Sequence, residues 1–285
     1  MISLEKRTLG IAGLGLMGGA LARALRGLPK PLFRILACDT DLAAAEGALR
    51  EGIIDEAADP AAMLPRCDLI FLCLNPSTLI RFLEQWEASF KRAALLTDIA
   101  GIKGNICAAA ERLLDRRPDL DFIPGHPMAG AEGGGFANSG LVNFAGKNYI
   151  LTPLKRNREE NLSFLKTLIR SLGFGRITET SPEDHDGKIA FTSQLCHVIA
   201  ASLIDCETDR EITRYGGGSF EDLTRIAMLN ASMWTELFLE NSGRLLSRIS
   251  RFEKSLEELK TLIAEGKEEA LRERLAAIRD RRSGM

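Results

Sequence analysis

Histidine is scarce in this chain, with three residues in 285: His126, His185 and His197. So few imidazoles exclude a histidine-rich metal cluster, and each has to be accounted for singly. An excess of one charge is also lacking. Lys and Arg number 37 and Asp and Glu 39, a net charge of -2, so no global field draws the chain to nucleic acid or to a membrane surface. Any anionic ligand must be held by local groups. The six cysteines, Cys38, Cys67, Cys73, Cys107, Cys196 and Cys206, never form a Cys-x-x-Cys pair and fall mostly within apolar runs. Buried reduced thiols are therefore expected rather than disulfides or a metal site. Residues 69–80 are uncharged, but Asn75-Pro76 interrupts them and the run is too short to cross a bilayer. Glu5, Lys6 and Arg7 run directly into a patterned strand, with neither a secretory nor a transit signature. The expectation is a cytoplasmic protein with no membrane and no nucleic-acid partner.

What is present is an alternation. Residues 7–12 read as an apolar strand, Gly13-Leu14-Gly15-Leu16-Met17-Gly18 follows at once, and a helical pattern opens behind it. Strand, glycine turn and helix in that order suit a dinucleotide: Gly13 for the tight turn, Gly15 for close approach of a pyrophosphate, Gly18 for helix-on-strand packing, and the helix N-terminus for the phosphates. The strand at 33–38 ends in Asp39, about 20 residues past the last glycine, where a carboxylate accepts ribose hydroxyls and repels a 2′-phosphate. Residues 40–43 supply no Arg or Lys for that phosphate, so NAD is favoured over NADP. Further strands are expected at 67–74, 94–98, 121–124, 147–152 and 176–180, with helices between them. Asn75, expected to cap the helix after the strand at 67–74, and Asp98 complete the candidate cofactor set at the carboxyl edge of the sheet.

Beyond Ser181-Pro182 the strand signals stop. Helices are expected over 189–206, 220–228 and 233–250, and over a final amphipathic stretch in which Phe252, Leu256, Leu259, Ile263, Leu271, Leu275 and Ile278 recur at helical spacing. The expected fold is α/β: a Rossmann-type dinucleotide-binding domain with a mostly parallel sheet over residues 1–180, then an all-α domain over 181–285. Such stripes either close on one another within the chain or are covered by a second subunit, as is often the case for a helical domain on a dinucleotide-binding one, and a homodimer is expected.

Gly125-His126-Pro127-Met128-Ala129-Gly130-Ala131-Glu132 is the stretch to which the rest is referred. His126 lies where a short strand gives way to a glycine-rich loop, a place from which an imidazole can meet a small-molecule substrate. The alternative is a structural histidine at a turn.

The glycine turn, Asp39, the Gly125–Gly130 stretch, Leu151-Thr152-Pro153, Ser193 with His197, Gly216-Gly217-Gly218, Asp222 to Ala227 and Met233-Trp234 occur in one order. That set resembles the prephenate and arogenate dehydrogenase family. The resemblance implies NAD-dependent oxidative decarboxylation of prephenate in tyrosine biosynthesis. It gives His126 the part of the catalytic base and Arg225 that of the arginine on a substrate carboxylate. His197 and Ser193 fall on the substrate's side chain, with Gly218 and Trp234 lining the pocket. His185 is expected to have a separate task, helping to start its helix. The sequence departs from the family pattern at Gly101, where a serine is common two residues before Lys103. It departs also at Ala131, Gln194, Cys196, Ser219 and 229–231, so substrate choice is the open question, with arogenate as the alternative. A β-hydroxyacid dehydrogenase is disfavoured because Lys188 is followed four residues later by Thr192, not asparagine. A non-catalytic, nucleotide-responsive protein is disfavoured because His126 and Arg225 are kept.

Overall fold

Strands buried on both faces organise the first half. In the computed structural model, which describes residues 7–29, 33–131 and 133–285, six parallel strands form one sheet. Of the residues singled out above, Glu5, Lys6 and Glu132 lie outside the described ones. The strands are β1 (Arg7–Ala12), β2 (Phe33–Cys38), β3 (Glu56–Ala57), β4 (Leu69–Leu72), β5 (Leu95–Asp98) and β6 (Asp121–Ile123), in the spatial order β3-β2-β1-β4-β5-β6. Leu9, Ile11, Leu69, Phe71 and Leu95 turn to one face, under α1 (Leu16–Arg26) and α2 (Leu42–Arg50). Leu36, Ile70, Leu72, Leu96 and Phe122 turn to the other, under α3 (Pro60–Met63), α4 (Pro76–Trp86) and α5 (Gly104–Arg116). Burial on both faces is why these strands read as continuous apolar runs. The strand order reverses between β1 and β4, and the crevice at that reversal, outside the carboxyl ends, is where such sheets take ligands.

The chain leaves this sheet at Pro124, which has no N–H to donate to a ladder. It then forms a second sheet that the sequence reading did not foresee. β7 (Gly125–Pro127) runs antiparallel to β8 (Asn148–Leu151), and β8 pairs in parallel with β9 (Arg176–Glu179) across the connecting α6 (Glu159–Ser171). His126 therefore sits in a strand opposite Ile150, not at a loop tip. The glycine-rich segment after it is pinned to α1 by a 3-10 turn, Phe136–Leu141. There the Arg23 guanidinium lies 5.3 Å over the Phe136 ring and Arg23 Nε donates to Ser139 Oγ at 3.0 Å.

After β9 all described structure is helical: α7 (Pro182–Ile189), a π-helical turn (Ala190–Gln194), α8 (Leu195–Asp205), α9 (Gly218–Thr224), α10 (Ala231–Glu240), α11 (Ser242–Ala264) and α12 (Glu268–Ser283). The stretch expected as a helix over 189–206 thus begins earlier and carries a π turn, and the one expected over 233–250 is broken at Asn241. The final amphipathic stretch folds back on itself at Gly266, whose φ is +59°. Among the described residues one helix, Pro182–Asp205, is long and apolar enough to cross a membrane by length and composition, with a mean hydropathy of 1.3. Only 28% of that window is buried within the chain, so its apolar surface needs cover. The cysteines divide: Cys38, Cys67 and Cys107 are buried, and burial pushes each thiol up to about 12. Cys196 and Cys206 are exposed, against expectation.

Candidate active site

The glycine turn is built for a backbone that must stay close to its neighbours. Gly13 has φ +95°, and a Cβ there would stand 2.4 Å from the Cys73 carbonyl oxygen; one on Gly18 would stand 1.9 Å from that of Gly13. Neither position admits a side chain. Gly15, at the N-cap of α1, has open space where its Cβ would be. No side chain caps this helix and no acid lies in its first turn, next to Leu16 and Met17, so its N-terminal amides remain for an anion. Asp39 is tied to the same turn: Leu14 N donates to its Oδ2 at 2.5 Å, and Asp41 N to its Oδ1 at 2.8 Å. A carboxylate has about four lone-pair sites, so this partly exposed group keeps acceptors for ribose hydroxyls. These residues fit a dinucleotide.

Asn75 stands at the N-cap of α4 but makes no side-chain cap. The expected capping role passes to Glu236 on α10, whose Oε1 accepts from Ser77 N and so bolts the helical half to the sheet. Asn105 Nδ2 donating to Glu240 Oε2 at 2.9 Å is a second bolt on the same helix. Asp98, at the end of β5, is fully buried and ion-paired with the equally buried Lys103. Its Oδ2 also accepts from Ala100 N at 2.8 Å, and its Oδ1 from Gly125 N at 3.1 Å. Removing one partner from a buried pair costs roughly 3–5 kcal/mol, so this pair is a firm anchor. Through Gly125 it sets the start of the strand that carries His126.

On that strand His126 Nδ1 lies 2.9 Å from His185 Nε2, and His185 Nδ1 lies 2.7 Å from Asp186 Oδ1. Asp186 Oδ1 also accepts from Lys103 N and its Oδ2 from Gly104 N, both at 2.8 Å. The expectation that His185 starts its helix is corrected: Ser181 caps α7 by accepting from Asp184 N, and His185 is buried against His126. Burial pushes the His126 imidazole well below its ordinary value, with the neighbouring His185 and the Lys103 ammonium adding to the effect. Burial and Lys103 likewise lower His185. Burial alone would raise the Asp186 carboxyl, but hydrogen bonds from His185 and from the Gly104 and Lys103 amides outweigh it and hold it low. His126 Nε2 faces Gly101, lying 3.9 Å from where a Cβ on that residue would be.

The five remaining predicted residues lie in the helical half, and His197 joins two of them. His197 on α8 donates from Nδ1 to the Ser193 carbonyl oxygen at 2.9 Å; since a carbonyl only accepts, the proton is on Nδ1. Its ring packs against Trp234 of α10, centroids 3.7 Å apart and planes tilted by 32°. Arg225 opens the single turn Arg225–Ala227, which packs against α8, and Gly218 is the first residue of α9. The sequence reading missed His185, Asp186 and a buried amide pair beneath them. In that pair Gln194 Nε2 donates to Leu237 O at 2.7 Å, and Asn241 Nδ2 to both Gln194 Oε1 at 2.7 Å and Asp186 O at 3.0 Å. The adjacent His185-Asp186, in a chain so poor in histidine, was the available signal.

A glycine-turn sheet joined to a helical half, with a neutral imidazole between them, defines a two-part dinucleotide-dependent oxidoreductase. Residues 21–178 match the family model described as the prephenate dehydrogenase nucleotide-binding domain, and residues 181–277 the one described as its dimerization domain. The chain is 30% identical to prephenate dehydrogenase of Bacillus subtilis over 98% of its own length and 76% of the relative's. It is also 30% identical to cyclohexadienyl dehydrogenase of Zymomonas mobilis, over 90% and 88%. Prephenate dehydrogenase of Aquifex aeolicus, solved in complex with hydroxyphenyl propionate and NAD+, superposes with a TM-score of 0.84 at 32% identity, covering 99% of this chain and 98% of that one. This chain belongs to the prephenate dehydrogenase family.

Proposed function

We propose that the chain catalyses the NAD-dependent oxidative decarboxylation of prephenate to 4-hydroxyphenylpyruvate, the step expected of it in tyrosine biosynthesis in the cytoplasm. The observation that carries the reading is the neutral His126, held at the carboxyl edge of the sheet by the Asp98–Gly125 bond, with Nε2 turned toward Gly101. Bound NAD supplies the hydride acceptor; Gly13 to Gly18 would hold its pyrophosphate and Asp39 its ribose, with Asn75 beside the crevice. Asp98, whose carboxylate is spent within the protein, would act by fixing that crevice.

His126 Nε2 takes the proton of the substrate hydroxyl as the ring carbon gives up its hydride. When the carbon–carboxylate bond pair enters the ring and CO2 departs, the phenolate oxygen takes the proton back, so no net proton is released. Arg225 binds one carboxylate as a planar fork, worth roughly 1.5–3 kcal/mol. His197, Ser193, Trp234 and Gly218 receive the side chain. The division into residues 1–180 for cofactor and 181–285 for substrate and homodimerisation is part of the same proposal. Arogenate is the second reading, supported by the equal identity to a cyclohexadienyl dehydrogenase.

Purified protein given prephenate or arogenate with NAD or NADP, followed at the NADH absorbance, tests the reading. Turnover is expected with prephenate and NAD; turnover with arogenate alone would replace prephenate. His126→Asn is expected to cut kcat by about 10²–10⁴-fold while NAD affinity stays near normal; parallel loss of both would make His126 structural.

A further inference from the structure

We propose that His185 and Asp186 are positioning residues that lock His126 in its Nδ1–H tautomer and so leave its Nε2 bare as the base, which rests on the reading of His126 as that base. The assignment follows from counting donors. Asp186 receives the Lys103 and Gly104 amides at 2.8 Å each, and an ionised carboxylate can only accept, so the 2.7 Å contact to His185 requires the proton on His185 Nδ1. A neutral ring protonated there has its lone pair on Nε2. That nitrogen is 2.9 Å from His126 Nδ1, so His126 Nδ1 must be the donor. The proton is then excluded from His126 Nε2, the only nitrogen of the ring left to face a substrate.

The relay is carried by one half of the molecule and used by the other. Asn241, at the break between α10 and α11, donates to the Asp186 carbonyl and to Gln194, all three buried, and this fixes the backbone of the dyad in the helical half. The Asp186 carboxylate reaches over to the N-terminus of α5, and His185 reaches to β7. When His126 Nε2 accepts the hydroxyl proton, the O–H bond breaks and an N–H bond forms. The imidazolium then shares its Nδ1–H with His185, whose own Nδ1–H points at a fixed negative charge. The arrangement stabilises the cation only while it lasts, and the phenolate discharges it.

Three histidines make the test tractable. Protein labelled with ¹⁵N-histidine and assigned by single His→Gln variants is expected to show His126 and His185 as neutral Nδ1–H tautomers at pH 7.5, the reverse of the form a free neutral side chain prefers. Asp186→Asn can present its NH2 to His185 Nδ1, switch both rings to the other tautomer and so place a proton on His126 Nε2. Its kcat is expected to fall about 10²–10⁴-fold, with KM for NAD within about twofold. His185→Gln, whose amide oxygen can accept the same proton, is expected to keep the His126 tautomer and to lose less. An Nε2–H His126 in the native protein overturns the proposal, as does an Asp186→Asn protein that keeps its kcat or loses NAD affinity in parallel. The spectrum needs no substrate, so it decides the tautomer even if neither prephenate nor arogenate is turned over.

Discussion

Three imidazoles are held below their ordinary value here by burial: His126, His185 and His197. Each is kept neutral in the fold but free to charge in the unfolded chain, so below the ordinary value of 6.5 the unfolded state binds more protons and stability falls with pH. Urea unfolding between pH 8 and 5 is expected to give a flat stability above about pH 7 and a decline below about 6.5. The limiting slope is about 4 kcal/mol per pH unit for three rings. The Asp186 carboxyl acts in the same direction, but only below its own ordinary value of 3.8. Stability that stays level or rises between pH 7 and 5 would mean the rings charge in place. Gly101 gives a second test at this scale. A Cβ there would meet Leu237 at 3.4 Å and lie 3.9 Å from His126 Nε2, so Gly101→Ser brings a hydroxyl beside the base with little crowding. One added hydrogen bond to the base or the substrate hydroxyl is worth about 0.5–1.5 kcal/mol, and kcat/KM is expected to rise by up to about tenfold. A fall in kcat with unchanged KM would show that the hydroxyl competes for Nε2. His126 was legible in the sequence because its glycines and proline are local; His185 was not, because its contact spans 59 residues and no local pattern encodes it.

Elements were legible where their cause is local. β1, the glycine turn, α1, β2 and Asp39 follow from apolar runs and from close approaches that only glycine permits, so the sequence reading placed them within a residue or two. The second sheet was hidden for the opposite reason. β7 has three residues, one of them proline, and its identity as a strand comes from β8, which lies beyond a 20-residue excursion over α1. Periodicity cannot signal a strand that short. The helical half was legible as helical but not in its joints. The π turn at Ala190–Gln194 and the break at Asn241 interrupt good helical patterns, and both occur where the buried Gln194–Asn241 pair crosses between helices. At such a crossing tertiary hydrogen bonding outweighs propensity, and the same crossing fixes Asp186.

At the scale of the whole molecule the unbalanced quantity is apolar surface in the helical half. Phe191, Leu203, Ile204, Leu239 and Leu246 are all exposed in the single chain, and α12 buries no residue at all. The site depends on this half being held in place, because Glu236 and the His185-Asp186 dyad reach the sheet or its neighbours from it, and Asn241 fixes that dyad within it. A second copy pairing through a two-fold axis would cover the same face on both chains at once. Light scattering at micromolar concentration is expected to give about twice the 31.2 kDa chain mass, with a Tm that rises with protein concentration. The doubly charged variant Leu239→Asp with Leu246→Asp should shift the mass toward 31.2 kDa and lower the Tm. Neither residue is among those assigned to the cofactor or the substrate, so any loss of kcat that accompanies dissociation and is reversed at high concentration would trace to the helical half loosening on the sheet. A native protein that stays at the single-chain mass at every concentration would leave this face without a partner copy and the dimer reading wrong.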